Sequence, residues 1–394
     1  MRYGGLYHVF YQYNPRGATW GNIVWAHSVS KDLVNWTPLD PALFPSQPSD
    51  INGCWSGSAT LLPGNKPAIL YTGIDSRNRQ VQNLAQPKNL SDPFLREWVK
   101  SPKNPLMEPT SANNIDSSSF RDPTTAWLGK DGQWRVLVGS LRETSGTALL
   151  YKSKDFVDWV QAEQPLHSTL GSGMWECPDF FPVLNYDYGK YYASKTFFDD
   201  GKKRRILLAW VSESSSSADD KKKGWSGIYT IPRTIWLHKS GKQLVQWPVV
   251  EIEKLRAYPV NLPPQVLKGG QLLHINGVTA TQRDCKSTHQ FPSEYSDTNT
   301  NIWSSLNKDN DLATYGTFVD VDPLHEKLSL RTLIDHSVVE SFGGEGRACI
   351  TARVYPTLAI NDKAQIYAFN NGTVDVKITK LNAWSMKKAQ INRN

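Results

Sequence analysis

Two short segments of the sequence hold carboxyl groups in surroundings that could tune their acidity. Asp122 stands between Arg121 and a proline, and Glu176 lies in the aromatic segment Trp175-Glu-Cys-Pro-Asp-Phe-Phe181, which also carries Asp179. A carboxyl group desolvated by aromatic rings favours its neutral form and can act as a general acid, whereas one beside an arginine is held ionised. Cleavage of a glycosidic bond requires two carboxyl groups in such contrasting environments. The alternative is that these residues cap turns at strand ends.

Aromatic residues are abundant and suggest an interaction with sugars. The chain has 15 tryptophans and 16 tyrosines, and flat aromatic faces suit sugar rings, which combine apolar C–H faces with polar rims. The sequence contains no Gly-x-Ser-x-Gly, no His-Glu-x-x-His, no phosphate-binding loop and no dinucleotide fingerprint. Its eight histidines are dispersed and its four cysteines are widely spaced, so we predict no cofactor, no metal site and no disulfide framework.

Length, composition and charge limit the class of protein. With 394 residues, 39% of them hydrophobic and 21% charged, the chain can form real cores and is too weakly charged for disorder. No apolar run reaches the roughly 18 residues of a membrane span. The net charge of +7 suits an acidic partner, but the basic residues are spread along the chain, which disfavours nucleic acid. An acidic polysaccharide fits the charge equally well, and so does a surface that is merely basic.

Short strands dominate the sequence. Stretches rich in Tyr, Val, Ile and Trp are separated by Gly, Pro, Asn and Asp turns, and the clearest are Leu6–Gln12, Ala68–Tyr71, Trp134–Val138, Ile206–Val211 and Lys327–Ile334. Helical periodicity is confined to Val249–Arg256, which predicts one short helix. The chain is therefore predicted to be all-β.

An internal repeat refines that prediction. Ser30-Lys-Asp-Leu-Val-Asn-Trp36 recurs as Ser153-Lys-Asp-Phe-Val-Asp-Trp159, and Asp92-Pro-Phe-Leu-Arg-Glu-Trp98 is a weaker copy between them. A regular period built of short strands indicates a repeated sheet, of which a propeller blade is the natural example. We expect each repeat tryptophan to pack between blades rather than to stack on a ligand.

The repeat fades after Trp247-Pro248, and a different pattern follows. The prolines within Tyr258–Pro264 predict a stiff linker over residues 258–264, because paired prolines cannot join a central strand. Beyond it, Leu328–Arg331 alternates with a period of two and Val338–Phe342 precedes a turn at Gly343-Gly344. We therefore predict a propeller domain over residues 1–257 and a second, sandwich-like β domain over residues 265–394.

These segments resemble the plant acid invertases of glycoside hydrolase family 32, particularly the cell-wall branch with its fructan exohydrolase relatives. The resemblance covers nearly the whole chain and rests on long motifs in order: Phe10-Tyr-Gln-Tyr-Asn-Pro15, Trp20-Gly-Asn-Ile-Val-Trp-Ala-His27, Trp55-Ser-Gly-Ser58, Phe120-Arg-Asp-Pro123, Trp175-Glu-Cys-Pro-Asp179, Gln246-Trp-Pro248 and Arg331-Thr-Leu-Ile-Asp-His-Ser337. It implies a five-bladed propeller with the active site, followed by a β-sandwich. It also implies retaining hydrolysis of the fructosyl bond of sucrose, and an extracellular, cell-wall location rather than a vacuolar one.

The resemblance also assigns roles to single residues. Glu176 matches the family's general acid/base, and Asp122 matches a carboxylate that binds fructosyl hydroxyls and supports the transition state, with Arg121 polarising that site. Asp199 and Lys202 match an Asp-x-x-Lys pair that goes with acceptance of sucrose and whose loss goes with fructan exohydrolases. Four further positions match the lining of the fructose pocket: Gln12, Trp20, Trp55 and Ser56.

The chain departs from the family pattern at several places. The family nucleophile is the aspartate of an Asn-Asp-Pro-Asn segment expected just before Tyr3, and this sequence does not contain it. The chain is also shorter than expected after Val183 and between Asp284 and Thr314, and Leu208-Ala-Trp210 stands where the family favours Trp-Gly-Trp. We therefore expect an incomplete propeller and sandwich. The departures leave three hypotheses: an active β-fructofuranosidase; a catalytically silent protein that binds sucrose or fructan, or a fructan exohydrolase-like protein; and a chain that forms no stable protein.

Overall fold

The computed structural model describes residues 1–110, 112–180, 188–279, 281–290, 299–302, 315–322, 325–355 and 364–391. The chain divides into two compact units. The first comprises Met1–Pro182, Lys195–Lys203 and Gln390–Asn394, and the second comprises Val183–Ser194 and Arg204–Ala389. Both are built mainly of strands, so the all-β prediction is confirmed. The places where the sequence predicts shortening, at residues 183–186 and 285–314, lie largely outside the described residues.

The first unit contains three sheets whose main strands are antiparallel. The first sheet consists of β1 (Arg2–Tyr3), β2 (Leu6–Tyr13), β3 (Val24–Ser30) and β4 (Trp36–Leu43), in that order. The second consists of β5 (Gly53–Leu62), β6 (Lys66–Ile74), β7 (Gln80–Pro87) and β8 (Trp98–Lys100). In the third, β10 (Trp127–Leu128), β11 (Trp134–Arg142), β12 (Ser145–Ser153) and β13 (Trp159–Gln161) pair in order, with β9 (Phe120–Arg121) on β11 and β14 (His167–Thr169) on β12. Four strands paired in chain order are typical of propeller blades.

The repeated heptapeptide is the turn between the third and fourth strands of these sheets. The carboxylate of Asp32 accepts the backbone N–H groups two and three residues later at 3.1 and 2.8 Å, and Asp155 does the same at 2.9 and 2.8 Å. Asp92 bonds the N–H groups two and four residues later. Leu33 follows Asp32 and Phe156 follows Asp155, and these two residues have φ of +63° and +68°. The repeat is therefore a structural turn held by an aspartate side chain.

Two of the three repeat tryptophans pack between neighbouring sheets, as expected. Trp98 joins the apolar cluster of the first and second sheets, with its ring 5.7 Å from that of Phe10. Trp159 joins the cluster of the second and third sheets, where its ring lies 5.3 Å from that of Phe156. Trp36 is half-buried, and its backbone N–H donates to the carbonyl of Gln390. Each apolar side chain buried in these clusters contributes about 1.5–3 kcal/mol, so they hold neighbouring sheets together.

A fourth blade-like sheet lies in the second unit. After β15 (Tyr188–Gly189), the strand β16 (Tyr191–Asp199) runs from the second unit into the first. Next come β17 (Arg204–Val211), β18 (Ile228–Tyr229), β19 (Arg233–Leu237) and β20 (Leu244–Pro248). Strand β17 pairs with β18 and β19, and β19 pairs with β20. Within the described residues the blade-like sheets number four, whereas the resemblance implies five.

A helix that we did not predict, α1 (Ser217–Lys223), lies between β17 and β18. Its N-terminus is a capping box, in which Ser216 and Asp219 bond each other's backbone N–H groups. Asp219 and Asp220 occupy the first turn, three lysines occupy the last, and Gly224 ends the helix with φ of +84°. This order of charges complements the helix dipole and so stabilises the short helix.

The rest of the second unit is one large sheet with two small ones. Its strands are β21 (Arg256–Leu262), β22 (Gln265–Leu267), β23 (Leu272–His274), β24 (Gln282–Gln290), β25 (Asn299–Ile302), β26 (Tyr315–Phe318), β27 (Leu328–Asp335), β28 (Val338–Gly343), β29 (Ala348–Arg353), β30 (Tyr367–Phe369) and β31 (Val376–Met386). The large sheet has the order β15-β29-β28-β27-β24-β31-β21, with β22 also on β31, while β23 pairs with β30 and β25 with β26. Two 3₁₀ helices, Val250–Leu255 and Gly344–Gly346, complete the unit. The first of them replaces the helix predicted over Val249–Arg256.

Most of the predicted linker is an edge strand. Strand β21 pairs with β31 at the end of the large sheet, and its register shifts beside Tyr258, where φ is +46°. Pro259 has no N–H to donate, which an edge strand tolerates and a central strand does not. The linker interpretation is corrected here, because prolines excluded a central strand only. The domain boundaries at residues 257 and 265 stay predictions.

The four cysteines, Cys54, Cys177, Cys285 and Cys349, are free thiols. Across the part of the chain that the structure describes, no helix combines the length and apolar character that a membrane crossing requires.

Candidate active site

The first carboxylate of the site follows directly on strand β9. Arg121 and Phe120 pair with Gly139 and Ser140 of β11, and Phe120 is fully buried. Amide side chains of β7 hold this short strand at both backbone groups of Phe120: Gln80 Oε1 accepts its N–H at 2.9 Å, and Gln82 Nε2 donates to its carbonyl at 2.8 Å. The position of Asp122 is therefore set by two neighbouring sheets.

Asp122 is buried and held in an unusual backbone conformation. Its φ is +66°, its N–H donates to Thr72 Oγ1 at 2.9 Å, and its Oδ2 accepts the N–H of Cys177 at 2.8 Å. Cys177 also has a positive φ, +48°. A left-handed conformation at a residue other than glycine costs about 1–3 kcal/mol and is concentrated at functional sites. The hydrogen bond ties the Asp122 segment to the segment that carries Glu176.

Glu176 forms an ion pair with Arg121, with 2.5 Å between Glu176 Oε1 and Arg121 Nη2. Arg121 Nη1 also donates to Gln80 Oε1 at 3.1 Å and to the carbonyl of Ser118 at 3.2 Å. This arrangement is a bridge between three segments of the first unit, and it orients the carboxylate of Glu176 by a charge-assisted hydrogen bond.

Two expectations about this pair need correction. We expected aromatic rings to desolvate Glu176, but its side chain is 42% exposed, because the ring of Trp175 packs against His167 at 5.0 Å instead. We also expected Arg121 to act on Asp122, whereas its guanidinium contacts Glu176. Asp122 follows the end of β9 with φ of +66°, so the chain turns there and the two neighbouring side chains meet different partners, which sequence spacing alone did not show.

Two glycines of the β11–β12 hairpin leave room for the segment that carries Glu176. A Cβ at Gly139 would lie 2.0 Å from the carbonyl oxygen of Trp175, and one at Gly146 would lie 2.4 Å from that of Gly173. Either side chain would displace the segment. The backbone of residues 173–175 therefore rests directly on the hairpin.

The thiol of Cys177 is unsuited to nucleophilic chemistry. Burial raises its pKa to about 12, and the nearby carboxylate of Asp122 adds to the shift. Since the thiolate is the nucleophilic form, this thiol is a poor nucleophile.

Of the four residues predicted to line the sugar pocket, Trp20 and Trp55 are in contact. The rings of Trp20 and Trp55 meet edge to face with 5.8 Å between their centroids, and the carbonyl of Trp55 accepts the indole N–H of Trp25 at 2.8 Å. Ser56 is half-buried where the register of β5 shifts against β6. Gln12 Oε1 is buried without a hydrogen-bond partner among the described residues. A buried acceptor without a donor costs folding free energy, so this oxygen is able to accept a hydrogen bond from a ligand hydroxyl group.

Asp199 and Lys202 make up the predicted Asp-x-x-Lys pair. The carboxylate of Asp199 is fully buried; its Oδ2 accepts from Tyr7 Oη at 2.8 Å, and its Oδ1 lies 3.6 Å from Arg2 Nε. Its Oδ1 also accepts the backbone N–H of Lys202 at 3.3 Å, while the side chain of Lys202 is exposed. The hydrogen bond described between Asp199 and Lys202 therefore uses the backbone N–H of the lysine.

Sequence reasoning missed the polar side chains that position Asp122. Gln80 and Gln82 are buried in β7, and Thr72 is buried in β6; Asn83, also buried in β7, donates to the carbonyl of Ser49 instead. Buried amides within a strand are unusual because each must be hydrogen-bonded. The run Gln80-Val-Gln82-Asn83 was the available signal, and we gave it no weight.

Repeated four-stranded sheets are typical of a propeller, and comparison with known sequences names the class of this protein. The profile described as "Glycosyl hydrolases family 32 N-terminal domain" matches residues 1–186 and 182–248, and "Glycosyl hydrolases family 32 C terminal" matches residues 286–385. The chain belongs to glycosyl hydrolase family 32. The N-terminal match is interrupted where the sequence predicts shortening.

The curated relatives are plant enzymes. The chain is 58% identical over 484 aligned residues to the beta-fructofuranosidase cell wall isozyme of Pisum sativum, covering 93% of this chain and 87% of that one. It is 49% identical over 511 residues to the fructan 6-exohydrolase of Beta vulgaris, covering 100% and 84%. Both alignments are longer than this chain, so they include positions where it has no residue.

A solved structure shows the same fold. Fructan 1-exohydrolase IIa from Cichorium intybus superimposes with a TM-score of 0.94 at 42% identity, covering 100% of this chain and 95% of that one. The same protein has been solved in complex with 1-kestose. The propeller and sandwich expected from the sequence are supported by this likeness.

Proposed function

We propose that the protein is a β-fructofuranosidase that hydrolyses the fructosyl bond of sucrose, with fructans as the second class of substrate. The observation that carries the proposal is the ion pair of Glu176 and Arg121 beside the buried carboxylate of Asp122. The pea relative, named a beta-fructofuranosidase, supports the activity.

Glu176 is the proposed general acid and base. It donates a proton to the leaving glycosidic oxygen in the first step and takes one from water in the second. Its exposed carboxylate is open to substrate and water, and Arg121 holds it in one orientation through a charge-assisted hydrogen bond. Arg121 also stabilises the carboxylate form that the second step requires.

Asp122 is the proposed acceptor for fructosyl hydroxyl groups. The N–H groups of Asp122 itself and of Cys177 are both engaged in hydrogen bonds around it, so the carboxylate is positioned before substrate arrives. Preorganised groups lower the barrier because they need not reorient during the reaction. Gln12, Trp20, Trp55 and Ser56 are proposed to line the fructose pocket, with the two indole faces available to the sugar ring.

The nucleophile of the retaining mechanism is expected in the segment before Tyr3. In retaining enzymes the two carboxyl groups lie about 5–5.5 Å apart. Because the printed chain does not contain Asn-Asp-Pro-Asn, the assay uses two proteins. One is the chain as printed, and the other is the same chain extended by an upstream segment that contains Asn-Asp-Pro-Asn.

The test compares fructose release from sucrose with that of Glu176→Gln in each protein. In the extended protein we expect the substitution to lower release by about 10²–10⁴-fold, the usual contribution of a general acid or base. The chain as printed contains no Asn-Asp-Pro-Asn and should release no more fructose than its own Glu176→Gln variant. Equal release by Glu176→Gln in the extended protein would contradict the assignment of Glu176. Sucrose binding without release in both proteins would instead support the catalytically silent homologue.

A fructan exohydrolase is the second candidate, favoured by the likeness to the sugar-beet enzyme. The Asp199 and Lys202 pair favours sucrose through the family resemblance. We expect Asp199→Ala to lower sucrose hydrolysis more than hydrolysis of levan or inulin. Tyr7→Phe is the matched control, since it removes the hydrogen bond to Asp199 and keeps the carboxylate. Equal losses on all three substrates would argue against a role in sucrose preference.

We also propose an extracellular, cell-wall location and a five-bladed ring. The names of the pea and Arabidopsis thaliana relatives, a cell wall isozyme and an insoluble isoenzyme, support the location.

The net charge of +7 supports binding to acidic polysaccharide. Retention on immobilised polygalacturonate should then fall steeply with added salt, because salt screens exposed charges; retention that is independent of salt would contradict this partner.

A further inference from the structure

The segment that carries Glu176, residues 173–180, is neither a strand nor a helix. A ladder of backbone hydrogen bonds therefore does not fix its position, as it does for the residues of a sheet. Buried backbone groups outside regular structure are usually bonded by side chains or by water. The position of Glu176 thus depends on the hydrogen bonds that reach this segment from other parts of the chain.

Two neighbouring residues of strand β16 bond the segment just after Glu176. Lys195 Nζ donates to the carbonyl of Pro178 at 2.7 Å, and the backbone N–H of Thr196 donates to Asp179 Oδ2 at 2.7 Å. One of these bonds has a charged donor and the other a charged acceptor, and such hydrogen bonds are about twice as strong as neutral ones. Lys195 and Thr196 belong to the part of β16 that lies in the first unit, as Glu176 does. We call these two contacts the β16 clamp.

Asp179 is one of the carboxyl groups that the sequence offered for chemistry, and the clamp gives it a different role. Its Oδ2 accepts a backbone N–H group, whereas the side chain of Glu176 is 42% exposed. On the preceding residue, the N–H of Cys177 donates to Asp122 Oδ2 at 2.8 Å. The three residues that follow Glu176 are therefore each held by a hydrogen bond, the first by Asp122 and the next two by strand β16.

We propose that Asp179 and Lys195 are positioning residues, which fix the backbone that carries Glu176 and so keep its carboxyl group in one place relative to a bound substrate. The proposal rests on the proposed function of Glu176 as general acid and base. It assigns neither Asp179 nor Lys195 a contact with the substrate. A misplacement of about 1 Å can cost a catalytic group about 100-fold in rate, so loss of either clamp contact should lower kcat and leave KM nearly unchanged.

Lys195→Met and Asp179→Ala test the proposal in the extended protein that contains Asn-Asp-Pro-Asn. We expect each to lower kcat for sucrose at least about tenfold. Lys195→Arg keeps a charged donor and Asp179→Asn keeps an acceptor oxygen, so these conservative variants should retain more turnover. Unchanged kcat in both Lys195→Met and Asp179→Ala would overturn the proposal. So would a rise in KM at unchanged kcat, because it would indicate side chains that bind the substrate themselves.

Asp155→Ala is the matched control, because the carboxylate of Asp155 also accepts backbone N–H groups of the first unit, at 2.9 and 2.8 Å. It loses two such hydrogen bonds, so its midpoint of thermal unfolding should fall at least as far as that of Asp179→Ala. Its kcat should equal that of the unchanged protein. Equal losses of kcat in Asp155→Ala and Asp179→Ala would show that turnover follows stability, and would overturn the proposal.

Amide hydrogen exchange of the chain as printed separates this proposal from the proposed function. Lys195→Met and Asp179→Ala should speed exchange in peptides that cover residues 173–180, and Asp155→Ala should not. If the extended protein shows no turnover that depends on Glu176, the proposed function fails and exchange alone decides the role of the clamp. Faster exchange would then still support the fixing of this segment by β16, and unchanged exchange in both variants would overturn it.

Discussion

Single residues hold the candidate site in a geometry that the backbone does not favour by itself. Asp122 and Cys177 both have positive φ, and one hydrogen bond joins them. Gly139 packs against both segments: a Cβ built on it would lie 3.2 Å from the carbonyl oxygen of Arg121 and 2.0 Å from that of Trp175. The pairing of Arg121 with Glu176 therefore depends on a residue that contributes no side chain.

Gly139→Ala tests this dependence. The added methyl group would push Trp175 and Glu176 away from Arg121, and misplacing a catalytic group by about 1 Å can cost about 100-fold in rate. We expect sucrose turnover to fall at least about tenfold, while thermal unfolding stays cooperative. Gly17→Ala is the control, because its Cβ would meet nothing closer than 4.0 Å. Turnover that is unchanged in Gly139→Ala would contradict the positioning role.

Among elements, strand β19 is tied to strand β28 by a buried ion pair of the second unit. The side chains of Arg233 and Glu340 are 0% and 1% exposed, and their closest N–O distance is 2.5 Å. Arg233 also donates to Gln246 and Thr351, and Glu340 accepts the N–H of Ile231. Ion pairs with such complete hydrogen bonding offset much of the desolvation that burial imposes.

Arg233→Met should destabilise the protein by about 3–5 kcal/mol, because it leaves the charge of Glu340 buried without its cation. Urea unfolding measures the change as a shift in midpoint. The double variant Arg233→Met/Glu340→Gln should recover most of the stability, since the remaining amide carries no charge. Lys88→Met removes an exposed pair with Glu97 and should leave the urea midpoint nearly unchanged, because solvent screens such pairs. A single variant as stable as the double variant would show that the charge is not the cause.

For the whole molecule, buried histidines make stability depend on pH. His8 and His27 are buried, and His8 Nδ1 lies 3.0 Å from His27 Nε2. Burial lowers the pKa of His8 to about 4 and that of His27 to about 3, and it lowers that of His289 to about 4. The unfolded chain binds protons first as the pH falls below the ordinary value of about 6.5, so folded stability is lost from there down to the folded pKa values.

His8→Gln/His27→Gln should flatten this dependence. Each histidine removed saves about 2.7 kcal/mol at pH 4.5, two units below its unfolded pKa. The free energy of unfolding, measured by urea titration at pH 7 and 4.5, should therefore fall less in the double variant. His336→Gln, whose side chain is 61% exposed, should follow the unchanged protein. A double variant that loses as much stability on acidification as the unchanged protein would place the pH dependence elsewhere.

Much of the fold was predictable because it depends on local patterns. Alternation and turn residues located the strands, as at Leu6–Gln12 within β2. The Asp-containing repeat indicated a repeated sheet, and only the structure showed that it is the turn before the last strand of three sheets. Helix α1 was missed, although Ser216 and Asp219 have the spacing of a capping box, because its seven residues are too few to show helical periodicity. The edge strand β21 was missed because prolines exclude central strands and not edges.

The sequence by itself determined the family, the all-β class and the two motifs that carry Asp122 and Glu176. These properties follow from residue types and their order along the chain, which a linear pattern records. Only the tertiary structure decided that Arg121 pairs with Glu176, that Gly139 makes room for their meeting, and that strand β16 bonds the segment after Glu176. The physical reason is that these contacts join segments up to 55 residues apart, whose approach depends on sheet register and packing rather than on spacing in the chain.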